Sequence, residues 1–136
     1  EIGKALPLIC YEAVFPQLVN KTPERPDMLI QITNDAWFGT YSGPYQHLVQ
    51  ARMRAAEQGL PMIRVANTGV SAMIDGHGRL RESLPLGEAG FVDAALPEPL
   101  APTLYSRTGD WPVFVFLLLL AGVVIWRHRA WQAAHG

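Results

Sequence analysis

Sixteen consecutive uncharged residues, Trp111 to Trp126, limit what this chain can fold into more than any other feature. The run has no amphipathic period, so a helix built from it is apolar on every face. Such a helix rises about 24 Å, a little short of the ~30 Å hydrocarbon core of a bilayer. A buried core helix is the competing reading. Three features favour a membrane span over residues 111–127. Tryptophans stand at both ends, where indole rings prefer the headgroup layer. Arg127 and Arg129 follow at once and can reach the interface, and Pro112 sits in the first turn, where a missing N–H costs nothing. The segment lies at the wrong end for a secretory signal. Basic residues flank it on the far side only, which predicts a cytoplasmic tail at 128–136 and places residues 1–110 on the opposite side.

The remainder has the composition of a packed domain. In 136 residues, 49% are hydrophobic and 17% charged, with a mean hydropathy of +0.10, which excludes a disordered, solvated chain. Eleven Lys/Arg against 12 Asp/Glu leave a net charge of −1, so the cationic footprint of a nucleic-acid binder is absent. A single cysteine excludes an internal disulfide framework and the multi-cysteine zinc sites. The opening residue is Glu1 rather than methionine, which points to a piece of a longer or processed chain. Prolines at 97, 99 and 102 forbid a helix or central strand there, so Leu96–Pro102 reads as extended, in a linker taken to run over residues 97–110.

Before the linker, short apolar runs alternate with helical patterns. Leu6–Cys10 and Met28–Thr33 read as buried strands, and Phe15–Asn20 as a short helix with proline in its first turn. Tyr45–Gln58 carries apolar residues at three- and four-residue spacings and stops at Gly59, as a helix would. Met62–Val65 and Val70–Ile74 are strands. Asp75-Gly76-His77-Gly78 is a hairpin turn leading into Arg79–Leu84, and Phe91–Ala94 is predicted to close the sheet. This mixture indicates a layered α/β domain.

Cys10 falls at the end of the first strand, where side chains of α/β domains emerge into a crevice. A lone cysteine is commonly an inert small hydrophobe; at an elbow, a nearby cation or helix N–H groups could instead activate it. Glu12, two residues on, reads as a salt-bridge or backbone-capping partner that could support such a thiol. His47 and His77 are the available imidazoles. His77 belongs to a solvated turn tip, His47 reads as a surface or capping residue, and no spacing aims either ring at Cys10. Trp37 and Phe38 follow the Asn34-Asp35 strand end, where aromatics pack or wall a pocket. Arg54 and Glu57 stand three apart, as in a local helix ion pair. Asn67-Thr68-Gly69-Val70 reads as a bend for which Gly69 supplies a permissive backbone.

Together these motifs resemble a known family. Leu8-Ile9-Cys10-Tyr11-Glu12 with Phe15-Pro16 is similar to the nucleophile elbow of the nitrilase superfamily. Arg54-Ala55-Ala56-Glu57, the stretch Arg64–Ser71, Ile74-Asp75 and Gly78 fit the same pattern. Within that superfamily, Ile32–Gly39, Gln46-His47-Leu48 and Ala51–Ala55, with the terminal apolar helix, resemble the bacterial apolipoprotein N-acyltransferases. The similarity runs through nearly all of residues 5–126.

The resemblance implies a nitrilase-like α-β-β-α sandwich, of which residues 1–96 are the C-terminal part, on a membrane base in the bacterial inner membrane, with the catalytic domain in the periplasm. It implies a phospholipid as acyl donor, an apolipoprotein as acceptor and no cofactor or metal. The acyl chain would pass through a thioester on Cys10 to the amine of the diacylglyceryl-cysteine. Tyr11 and Glu12 match positions that line or support the site; Trp37 and Glu57 match positions that shape the pocket or the helix framework. The family's catalytic glutamate and lysine come from segments before the cysteine strand. Glu1 and Lys4 do not replace them, because residues 4–10 in extended form put Lys4 roughly 20 Å from Cys10. This chain alone is therefore expected to be inactive. Two other readings stay open: an anchored amide hydrolase of the same superfamily, and a membrane-anchored interaction module in which Cys10 is packing.

Overall fold

The computed structural model describes residues 3–20 and 22–135, the last two as backbone alone. Strands β1 (Ala5–Ile9), β2 (Met28–Asn34) and β3 (Met62–Asn67) run parallel. Strands β4 (Ser71–Ile74) and β5 (Leu80–Leu84) extend the sheet antiparallel, in the order β1-β2-β3-β4-β5. The two parallel steps need crossovers, supplied by α1 (Pro16–Asn20) and α2 (Ser42–Gln58). Right-handed crossovers put successive helices on one face of a sheet. There Leu48, Ala51 and Ala55 of α2 pack with Leu8, Leu29, Met62 and Ile74. The side chains of Leu29, Met62 and Ile74 are wholly buried, each worth about 1.5–3 kcal/mol of transfer free energy. Gly59 ends α2 in the left-handed conformation at φ 64°, as its place after the periodic run predicts.

The other face of the sheet is apolar and open. Ile9, Ile32 and Val65 are register partners across three strands and remain 54%, 52% and 52% exposed. They form a continuous apolar row with no covering layer among the described residues.

The strand, helix and hairpin boundaries fall close to those expected from the sequence, with one correction. Phe91–Ala94 is not a strand. After Leu84 the Gly87 N–H donates to the Thr68 carbonyl at 3.0 Å in the β3–β4 connection, and Phe91, Val92 and Ala94 line a recess with Ile63, Val65 and Met73 instead of joining the sheet as a strand. The proline-rich stretch is extended, and it is fastened to the end of α2. The Leu100 N–H donates to the Gly59 carbonyl at 2.8 Å, Arg25 donates to the Leu100 carbonyl at 2.9 Å, and the Thr103 hydroxyl donates to the Glu57 carbonyl.

A short helix, α3 (Leu104–Thr108), precedes α4 (Trp111–His135). The latter has 25 residues, about 37 Å at 1.5 Å per residue, and runs on through Arg127 and Arg129. Trp111–Ala133 is long and apolar enough to cross a membrane, and none of it is buried, so it is not a core helix of this domain. Asp110 stands at its start, accepting from Tyr105 Oη at 3.0 Å and Gln17 Nε2 at 3.4 Å, while its carbonyl accepts from Phe114 N–H.

Candidate active site

Three parallel strands end side by side, and each terminus carries an unusual residue. β1 delivers Cys10, which opens a 3₁₀ turn (Cys10–Val14) at φ 52°. β2 delivers Asp35, the first residue of a second 3₁₀ turn (Asp35–Phe38), and β3 leads to Thr68 at φ 59°. Cys10 and Thr68 are the non-glycine residues with positive φ among those described. A side chain in this region costs about 1–2 kcal/mol and persists only where its surroundings hold it. For Cys10 the result is a sharp elbow at the carboxyl end of an edge strand, with the cysteine partly exposed.

Several groups hold that elbow. The Glu12 carboxylate accepts from the Ile9 N–H at 2.7 Å, the backbone-capping role expected of it. Arg54 donates to the Val14 carbonyl at 3.1 Å and to Glu57 Oε1 at 2.6 Å. Glu57 is thus a helix ion-pair partner whose arginine fastens the far end of the turn. Tyr11 packs edge-on against Phe15, with ring centroids 5.8 Å apart.

Beneath the elbow lies a buried polar network that the sequence reading did not identify. Gln31, Asp35, His47 and Arg64 are all at least 98% buried. His47 Nδ1 lies 2.8 Å from Asp35 Oδ1, and Arg64 reaches Asp35 Oδ2 at 2.5 Å and Gln31 Oε1 through its other terminal nitrogen. Gln31 Nε2 lies 3.1 Å from His47 Nε2 and donates to the Cys10 carbonyl at 3.2 Å. Thr33 donates to Asp35 Oδ1, and Arg64 Nε donates to the Val70 carbonyl. Burial pulls the Arg64 guanidinium below its ordinary value, and the charge and hydrogen bond of Asp35 oppose that pull.

His47 is therefore not a surface or capping residue. It lies under Phe38 and near Tyr11, at ring-centroid distances of 5.3 and 6.4 Å. His77 is exposed in the β4–β5 turn, as expected. Gly69 also differs from expectation: the positive φ falls on Thr68, and Gly69 is needed for close approach, since a β-carbon there would lie 2.3 Å from Asp35 Oδ2. Trp37 stands on the turn after β2, at the same sheet end as Cys10, with 85% of its surface exposed. Lys4 lies at the opposite end of β1, ion-paired with Glu24, while Glu1 lies outside the described residues. A recess of about 550 Å³ at the root of α4, lined by Gln17, Asn20, Trp111 and Phe114 among others, contains none of the expected site residues.

A cysteine elbow at the carboxyl end of a parallel strand, in a sheet covered by helices on one face, is the architecture expected of half a nitrilase-like sandwich. Residues 1–104 match the carbon-nitrogen hydrolase family, and the chain belongs to it. It is 55% identical over 124 residues to the apolipoprotein N-acyltransferase of Rhodopseudomonas palustris, a match covering 91% of this chain and 23% of that protein. The corresponding protein of Bradyrhizobium diazoefficiens is 54% identical over 93% of this chain and 24% of its own length, and that of Rickettsia bellii 46% identical over 90% and 25%. The chain spans about a quarter of the length of these curated relatives.

Proposed function

We propose that this chain is the C-terminal part of an apolipoprotein N-acyltransferase that uses Cys10 as its acyl carrier. The observation that carries the reading is the Cys10 elbow: a cysteine held at positive φ on a strand end, in a chain similar along about nine-tenths of its length to proteins of that name. In this reading residues 1–96 belong to the nitrilase-like domain, 97–110 connect it to a membrane span at 111–127, and 128–136 form a cytoplasmic tail. The domain faces the periplasm from the inner membrane.

The chemistry is a two-step exchange. The Cys10 thiolate attacks an ester carbonyl of a phospholipid; a C–S bond forms, the C–O bond breaks, and the lysophospholipid leaves carrying a proton. The N-terminal amine of the diacylglyceryl-cysteine of an apolipoprotein then attacks the thioester; a C–N bond forms, the C–S bond breaks, and the thiolate returns as the amine loses its proton. By the family resemblance, a glutamate acts as base and a lysine stabilises the oxyanion. Glu12 is already engaged by the Ile9 N–H, so its part is to hold the elbow. Tyr11, Trp37 and Glu57 are proposed to shape the acyl pocket and its helix framework.

The test is intact-mass spectrometry of the complete protein in phospholipid bilayers, with and without a diacylglyceryl-cysteine peptide. An acyl adduct on Cys10 that disappears when the peptide is added supports the reading. Turnover by Cys10→Ala protein overturns it, and hydrolysis of simple amides without acyl transfer would favour an anchored hydrolase. The variant should fold, since removing one small sulfur leaves little void.

A further inference from the structure

The hydrogen-bond roles in the buried network admit one arrangement. A guanidinium only donates, so the Gln31 atom facing Arg64 is the amide oxygen. That fixes Gln31 Nε2 between the Cys10 carbonyl and His47 Nε2, with one N–H for each. His47 Nε2 must then accept, which leaves the ring proton on Nδ1, facing Asp35 Oδ1 at 2.8 Å. Asp35 is kept an acceptor by Arg64 on its second oxygen. Both ring nitrogens are thereby occupied, and neither is free to take a proton from the Cys10 thiol.

We propose that Gln31 and His47 are positioning residues for Cys10: His47, held as the neutral Nδ1–H tautomer by Asp35, orients the Gln31 amide, and Gln31 fixes the Cys10 carbonyl and hence the direction of the thiol at the elbow. The inference rests on Cys10 being the acyl carrier. Its placement is demanding because Cys10 sits at φ 52°, where the backbone relaxes once its carbonyl is released. β2 is suited to the task. Its alternation turns Gln31 and Thr33 inward and leaves Ile30 and Ile32 on the open face, and Gln31 is the register partner of Arg64.

The test uses the complete protein in phospholipid bilayers. Gln31→Glu keeps an acceptor for Arg64 but has no donor for the Cys10 carbonyl. Single-turnover formation of acyl-Cys10 should fall about 100-fold, the scale of a misplaced reacting group, while half-saturation by phospholipid stays within twofold. His47→Leu should fall similarly, and His47→Gln, which can return an amide oxygen to the Nε2 position, should recover most of the rate. Ring ¹⁵N shifts of labelled protein, assigned by the signal lost in His47→Gln, should report the neutral Nδ1–H tautomer at neutral pH. Wild-type acylation by folded Gln31→Glu, or an Nε2–H or doubly protonated His47, would overturn the proposal. If Gln31→Glu does not fold, the tautomer decides. Turnover by Cys10→Ala would instead refute the acyl-carrier role, an outcome read separately from the His47 signal.

Discussion

Gly69 passes so close to Asp35 that a β-carbon at this position would sit 2.3 Å from Oδ2 and 2.7 Å from Cγ of the buried carboxylate. Asp35 holds Arg64 and His47 at once, so space taken by Gly69 is taken from the support of the cysteine elbow. Gly69→Ala should destabilise the fold by about 1–3 kcal/mol, the scale of overpacking, and slow acylation of Cys10. Thermal unfolding and single-turnover acylation check this; a wild-type melting curve would show that Asp35 can yield.

Two substitutions of Glu57 should differ in their cost. Arg54 bridges the Val14 carbonyl and Glu57, and its side chain is 94% buried. Glu57→Ala leaves that guanidinium without its carboxylate, a loss of about 3–5 kcal/mol for a buried pair. Glu57→Gln retains an acceptor and should lose markedly less. Equal losses in denaturant titrations would place the importance of Glu57 elsewhere than in this ion pair.

The β4–β5 hairpin should weaken in acid. Burial disfavours the Asp75 carboxylate, but the Arg79 and His77 backbone N–H groups and the nearby Arg81 charge prevail and hold it below the usual carboxylate range. A depressed native value means stability that is present above the unfolded value, about 3.9, and is lost as pH falls through the native one. Asp75→Asn keeps an amide oxygen for both N–H groups. Its stability should therefore vary less with pH below about 4 than that of the wild type. Parallel pH profiles of the two proteins would contradict this.

Topology gives a further expectation. Only Arg127 and Arg129 carry charge after Trp111, so the end of α4 should lie in the cytoplasm and the sheet in the periplasm. A reporter active only in the periplasm, fused after Gly136, should remain silent; a signal would mean that α4 is inverted or does not span.

Expressed by itself, the 136-residue chain should not acylate Cys10. A thiol attacks as its thiolate and needs a base or cation to reach that state. Among the described residues no lysine or carboxylate hydrogen-bonds Cys10, Glu12 is engaged by Ile9, and Lys4 is at the other end of β1. Missing oxyanion donors typically cost about 10²–10³ in rate. Reconstitution in phospholipid vesicles should give no acyl-Cys10 by mass spectrometry; adduct formation at a rate near that of the complete protein would refute the mechanism.

Much of the sheet was legible because short apolar runs and glycine stops are local signals. Gly59 ends α2 and the Asp75–Gly78 turn leads into β5, as their chemistry requires. Phe91–Ala94 misled because an apolar run reveals nothing about whether a partner strand is free. The elbow was legible in Cys10 and Glu12. The network below it was not, since Gln31, Asp35, His47 and Arg64 come from three separate segments. A usable signal did exist: Gln31, Thr33 and Arg64 share the parity of the buried Leu29 and Met62, while Ile32 and Val65 point outward. Polar residues at inward positions, with apolar ones outside, mark a sheet with work for both faces.

The contact between Gln17 and Asp110 has a mechanical consequence. α1 begins six residues after Cys10, and Asp110 immediately precedes α4, so a side-chain bond and a short turn tie the elbow's neighbour to the root of the membrane helix. Under the function proposed above, with α4 embedded, this tie sets the altitude of the thiol above the bilayer, and an acyl chain has to climb to reach it.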